Sequence, residues 1–114
     1  AMAATLLGRH PRLADAALLL GCPCDLAQWR LGRRYWWRSE DPMRWAHRVP
    51  RDARVVAITA DGDTLAWPSL AQGYVEALRA RDVEARFVPL PHASHAETPR
   101  APEVMAELAR LIDR

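Results

Sequence analysis

The stretch Arg54–Asp63, RVVAITADGD, limits what this chain can fold into more than any other. Val55-Val56-Ala57-Ile58 is a continuous apolar run and reads as a buried strand. It leads straight into a loop that carries two carboxylates, Asp61 and Asp63. An apolar run that stops at acids is what an open α/β sheet shows where the carboxyl end of a strand meets the active-site crevice. At 114 residues, 50% hydrophobic and 26% charged, residues 1–114 amount to one domain at most, long enough to bury a core of its own.

On both sides of this stretch the pattern alternates. Ala1–Arg9 is helical in propensity and ends at His10-Pro11, because the residue before a proline is pushed out of the helical region. No Ser, Thr, Asp or Asn precedes its first turn, so the true start of this element is expected to lie outside the chain. Ala16–Gly21, AALLLG, fits a strand covered on both faces, with a buried helical segment as the alternative. Residues 22–50 differ in character: Trp29, Tyr35, Trp36, Trp37 and Trp45 lie among arginines, and Gly32, Pro42 and Pro50 interrupt them. Short helices are predicted near Leu26–Leu31 and Pro42–His47, within an aromatic-rich, cap-like insertion over about residues 25–50.

Beyond the acid loop, Leu70, Ala71, Tyr74, Val75 and Leu78 recur at helical spacing over Pro68–Arg81, with Pro68 in the first turn. Val83–Leu90 reads as a strand, and Pro91–Glu97 as a loop holding His92 and His95. Thr98 is placed to cap a last helix with Val104, Met105, Leu108, Leu111 and Ile112 on one face. The order predicts an α/β fold of parallel strands joined by right-handed helical crossovers.

Composition excludes several partners. The net charge of +2 is too small to argue for a polyanion, and all 16 basic residues are arginines scattered over every segment. Interleaved Arg and Trp at Trp29–Arg48 could stack on a nucleic acid, but Asp25, Glu40, Asp41 and Asp52 offset them, so no nucleic-acid partner is expected. No apolar run approaches the ~18 residues of a spanning helix, and the start lacks the features of a signal peptide, so no membrane partner is expected. Cys22 and Cys24 sit too close together for an ordinary disulfide framework, which predicts buried thiols and a reducing, cytoplasmic location. With His10 or His47 they lack zinc-site spacing, and there is no Gly-rich phosphate loop. Neither a metal nor a cofactor is expected.

In such a sheet the loops after successive strands converge on one edge, which would bring Asp63 and His95 together. A carboxylate there can accept the ring N–H, fix the tautomer and stabilise the imidazolium. These residues carry a resemblance. Ala60-Asp61-Gly62-Asp63, followed by Pro68, is similar to the Gly-x-x-Asp acid loop of α/β-hydrolases, with alanine in place of the first glycine. Leu90-Pro91-His92-Ala93-Ser94-His95 is similar to their Leu-Pro-Gly-Ala-x-His loop, and Ser39-Glu40-Asp41-Pro42 to a Ser-Pro step before the acid strand. The whole chain resembles the carboxy-terminal half of an α/β-hydrolase of the prolyl-oligopeptidase or dienelactone-hydrolase type. The resemblance implies Asp63 and His95 as catalytic residues, Asp63 being favoured over Asp61 by spacing.

That family orders its triad Ser, Asp, His, with the serine on a Gly-x-Ser-x-Gly elbow. No such elbow occurs among Ser39, Ser69 and Ser94, and Ala1–Arg9 looks like the helix that follows one. The resemblance therefore implies a partner: an amino-terminal half of the hydrolase domain carrying the nucleophilic serine and oxyanion-hole donors. Without it the strand at Ala16–Gly21 would show an unpaired edge, and the chain alone would be inactive. The implied activity is serine hydrolysis of a small-molecule or peptide acyl substrate, whether ester, thioester, lactone or peptide. Trp29, Trp36 and Trp37 either line its pocket or pack the insertion onto the sheet. The alternative is a non-catalytic hydrolase-fold fragment that serves in interaction or complementation.

Overall fold

The apolar run of the opening stretch forms the middle strand of a three-stranded parallel sheet. The computed structural model describes residues 1–31, 40–91 and 93–113. In chain order these form α1 (Met2–Arg9), β1 (Ala16–Leu20), α2 (Pro42–Trp45) continued by a 3₁₀ turn (Ala46–Arg48), and β2 (Arg54–Ala60). There follow α3 (Pro68–Arg79), β3 (Glu84–Leu90), a 3₁₀ turn (Thr98–Arg100) and α4 (Pro102–Ile112). The sheet order is β1-β2-β3, with Ala16 opposite Arg54 and Arg54 opposite Glu84. The fold is thus α/β, with parallel strands and flanking helices as the sequence predicts.

Successive residues of β2 feed opposite layers, as the two-residue period of a strand requires. Val55 and Ala57 join Ala4 and Leu7 of α1 and Tyr74, Val75 and Leu78 of α3 in one core. Val56, Ile58 and Ala60 join Leu90 and Val104 of α4 in the other. Six of the seven β2 residues are buried, whereas β1 and β3 lie at the edges and are less covered. Pro89 is tolerated in β3 because an edge strand leaves one side of its backbone unpaired.

Five sequence expectations need correction. Cys22 and Cys24 form a disulfide rather than two thiols, which removes the argument for a reducing compartment. Leu26–Leu31 is a run of turns rather than a helix. Asp25 accepts from Gln28 and Trp29, but this single turn gains too little packing to propagate. Thr98 does not cap the last helix; its hydroxyl donates to Ser94 O at 3.0 Å, and Pro102 begins α4 instead. On α4, Met105 and Ile112 are exposed, and Glu107 is buried beside Val104 because Arg86 on β3 pairs with it at 2.9 Å. The strand at Ala16–Leu20 also differs from a fully covered one: only Leu19 is buried, since no strand among the described residues pairs with its outer edge.

Many arginines act as struts rather than as a binding face. Arg81 donates to the carbonyls of Ala46 and Val49, and Arg54 to that of Leu111. Arg9 and Arg48 stack on Trp45 at 5.8 and 5.6 Å from the ring centre.

Candidate active site

The carboxyl ends of all three strands meet at one edge. After Ala60 the chain turns sharply, with Asp63 N–H donating back to Ala60 O at 3.0 Å and Asp61 N–H donating to Leu90 O at 2.9 Å. The acid loop and the histidine loop then touch: a Cβ at Gly62 would lie 3.3 Å from Ala93 O. Asp63 points inward with its side chain fully buried. Its Oδ1 accepts from Leu65 N–H at 2.9 Å and Ala66 N–H at 2.7 Å, a local turn of the kind short acidic side chains favour. Its Oδ2 lies 2.6 Å from Nδ1 of His95.

His95 is presented by a second braced turn. Thr98 donates to Ser94 O through its hydroxyl and to His95 O through its N–H, and the Glu97 carboxylate accepts from Ser94 N–H. The imidazole keeps 39% of its side-chain surface exposed, against 0% for Asp63. Because a carboxylate only accepts, the hydrogen-bonded Nδ1 carries the proton and Nε2 holds the free lone pair. Among the described residues Nε2 makes no hydrogen bond. The arrangement can therefore take a proton at Nε2 while Asp63 stabilises the resulting imidazolium.

Gly21, at the end of β1, forms the third wall. Its φ is +55°, its N–H donates to Ile58 O at 2.8 Å, and a Cβ there would meet His95 Cε1 at 2.8 Å and Nδ1 at 2.9 Å. Sequence reasoning missed this residue. The available signal was a glycine closing an apolar strand, which marks a turn or a close backbone approach.

The remaining sequence candidates are placed as follows. Asp61 is exposed, and its side chain makes no hydrogen bond among the described residues. Trp29 is half-buried and donates from its indole to Leu65 O at 2.7 Å, which ties the insertion to the acid loop. Trp36 and Trp37, the other two pocket candidates, lie outside the described residues, as do Ser39 and His92. Asp41 caps α2, accepting from Met43 N–H and from Leu26 N–H. A cleft of about 310 Å³ lined by Pro11, Asp15, Pro50 and Asp52 lies at the opposite strand ends, away from the His–Asp pair. No group of three or more His, Cys, Asp or Glu able to hold a metal occurs among the described residues. No helix among them is long and apolar enough to cross a membrane.

No protein-family model matches the sequence. No curated protein matches it either. Solved structures do. One is a Bacteroides ovatus ATCC 8483 protein described as a dipeptidyl aminopeptidase IV, with a TM-score of 0.76 and 15% identity over 96% of this chain and 17% of that one. Another is puromycin hydrolase, with a TM-score of 0.67 and 17% identity over 90% of this chain and 19% of the hydrolase. A serine-to-alanine mutant of puromycin hydrolase complexed with PGG matches with a TM-score of 0.67 and 18% identity, over 89% of this chain and 19% of that one. At these identities the likeness shows the fold. The chain spans less than one fifth of the length of each of these structures.

Proposed function

We propose that this chain supplies the acid and the base of a serine hydrolase of the prolyl-oligopeptidase type, acting on a peptide or other acyl substrate. The observation that carries the proposal is the 2.6 Å contact between buried Asp63 and half-exposed His95, at the ends of consecutive parallel strands. The fold shared with structures named as a dipeptidyl aminopeptidase IV and puromycin hydrolase supports the same reading.

The proposed steps use both residues. A serine carried by an amino-terminal portion of the hydrolase attacks the acyl carbon, and His95 Nε2 takes its proton. Asp63 holds the ring in the tautomer that leaves Nε2 basic, and His95 then protonates the leaving group. Water, deprotonated by the same nitrogen, releases the acyl group and regenerates the serine. Trp29, anchored to the acid loop, is the described member of the aromatic set proposed to border the substrate.

The test is labelling and turnover of the assembled hydrolase. A serine-directed fluorophosphonate is expected to label the partner portion in the presence of this chain. His95→Ala is expected to abolish labelling and lower kcat by a factor on the order of 10⁴ or more. Full labelling and rate with His95→Ala would refute the assignment. The outer edge of β1, with which no strand among the described residues pairs, also fits a second reading, a complementing fragment without chemistry of its own. That reading expects assembly without any fluorophosphonate label.

A further inference from the structure

The segment between β1 and the insertion is tied down at several points. Gly21 N–H is held by Ile58 O at 2.8 Å, and Leu26 N–H by Asp41 Oδ1 at 3.0 Å. Between these anchors Cys22 and Cys24 close a small disulfide ring around Pro23, whose own φ is fixed by its side chain. Both cysteines are buried, at 2% and 0% exposure. The result is a short, stiff hook whose first residue lies against the His95 imidazole.

Space is tight at that residue. A Cβ on Gly21 would stand 2.8 Å from His95 Cε1, 2.9 Å from Nδ1 and 3.4 Å from Asp63 Oδ2. The first two distances are shorter than Cβ atoms sustain, and the +55° φ is one that only glycine adopts readily. His95, by contrast, has an open side: 39% of its side chain is exposed. A single hydrogen bond to Asp63 fixes one point of the ring and leaves it free to tilt about that bond. A rigid backbone wall on the buried side removes the tilt.

We infer that Gly21 is a positioning residue for the His95–Asp63 pair, and that the Cys22–Cys24 ring holds it in place. An added methyl at Gly21 pushes the imidazole towards its open side and lengthens the bond to Asp63. Opening the ring leaves Gly21 its small size but loosens the wall, so the pair keeps its contact and loses its fixed orientation. The kinetic part of this inference rests on the hydrolase reading above; the hydrogen-bond part does not.

The experiment uses the full chain in two measurements on two variants, Gly21→Ala and the double variant Cys22→Ser/Cys24→Ser. First, proton NMR follows the His95 Nδ1 proton, which a short bond to a carboxylate holds far downfield. That resonance is expected in the wild type, lost in Gly21→Ala and broadened in the double variant. Second, in the assembled hydrolase Gly21→Ala is expected to lower kcat about 100-fold with KM little changed, the effect of a misplacement on the order of 1 Å. The double variant is expected to show a smaller loss, about tenfold, again in kcat.

A folded Gly21→Ala chain that keeps the downfield resonance and the wild-type kcat overturns the inference. If Gly21→Ala does not fold, the double variant decides: an unbroadened resonance with unchanged kcat overturns it. If the wild-type assembly hydrolyses nothing, the resonances still decide the positioning role, and only the hydrolase reading fails.

Discussion

Asp61 and Asp63 stand two positions apart after β2, and spacing in the sequence favours Asp63 without excluding Asp61. Their surroundings separate them. Asp61 faces solvent, whereas Asp63 is sealed, with Oδ1 saturated by two N–H groups and Oδ2 turned to His95. An asparagine at position 63 could keep Oδ1 for those two donors but would present its NH₂ to the ring. His95 would then have to offer a lone pair at Nδ1 and carry its proton on Nε2, the wrong tautomer for a base. Asp63→Asn is therefore expected to lower kcat by about 10⁴-fold with the fold intact, the size of the tautomer effect in other triads. Asp61→Asn is expected to leave the rate near wild type. Steady-state kinetics of both variants in the assembled hydrolase check this, and the opposite ranking would move the role to Asp61.

Among the elements, α3 and α4 show what periodicity can and cannot foretell. On α3 the apolar positions Leu70, Ala71, Tyr74, Val75 and Leu78 are all buried, because β2 and β3 present a flat apolar surface to that helix. On α4 the same reasoning misplaces Met105 and Ile112, which are 66% and 75% exposed. The face is turned by a polar partner: Arg86 on β3 draws Glu107 inward, where Arg110 also reaches it. Tyr74 joins two helices, reaching from α3 towards Ala4 O of α1 at 3.5 Å, and burial pushes its phenol well above the ordinary value of 10.0. Below about pH 10 the phenol is protonated in folded and unfolded chains alike, so its contribution is constant there. Above that pH the unfolded chain loses the proton and the folded chain keeps it, so stability falls as pH rises. The denaturant midpoint of the wild type should decline above about pH 10, and that of Tyr74→Phe should decline less. Equal declines would show that Tyr74 does not set the alkaline limit.

For the whole molecule, the sheet is unevenly covered. Six of the seven residues of β2 are buried, but β1, although entirely apolar in sequence, buries only Leu19 of its five residues. An apolar edge with unpaired backbone groups is a template for another strand, and the proposed amino-terminal portion is its expected occupant. Hydrogen exchange measures this directly. Adding that portion should slow exchange of the β1 amides, while the β2 amides, already protected, change little. Unchanged β1 exchange in a formed assembly would place the partner elsewhere.

The sequence by itself determined the order and type of the main elements, because the apolar run at 55–58, the alternation that turns apolar over 83–90 and the helical spacing of 68–81 are local patterns with one economical reading. It also determined that acids and histidines follow strands. The sequence and its family resemblance pointed to Asp63 and His95 as the pair; only the tertiary structure decided the contact and burial of that pair, that Gly21 walls it, and how Cys22 pairs with Cys24. Each of these depends on atoms far apart in the chain or on a backbone angle, and neither distance nor angle is written in residue type. Arg54–Asp63 could thus be read as a strand leading to acids, but that Asp63 lies 2.6 Å from His95 follows from the parallel register of β2 and β3.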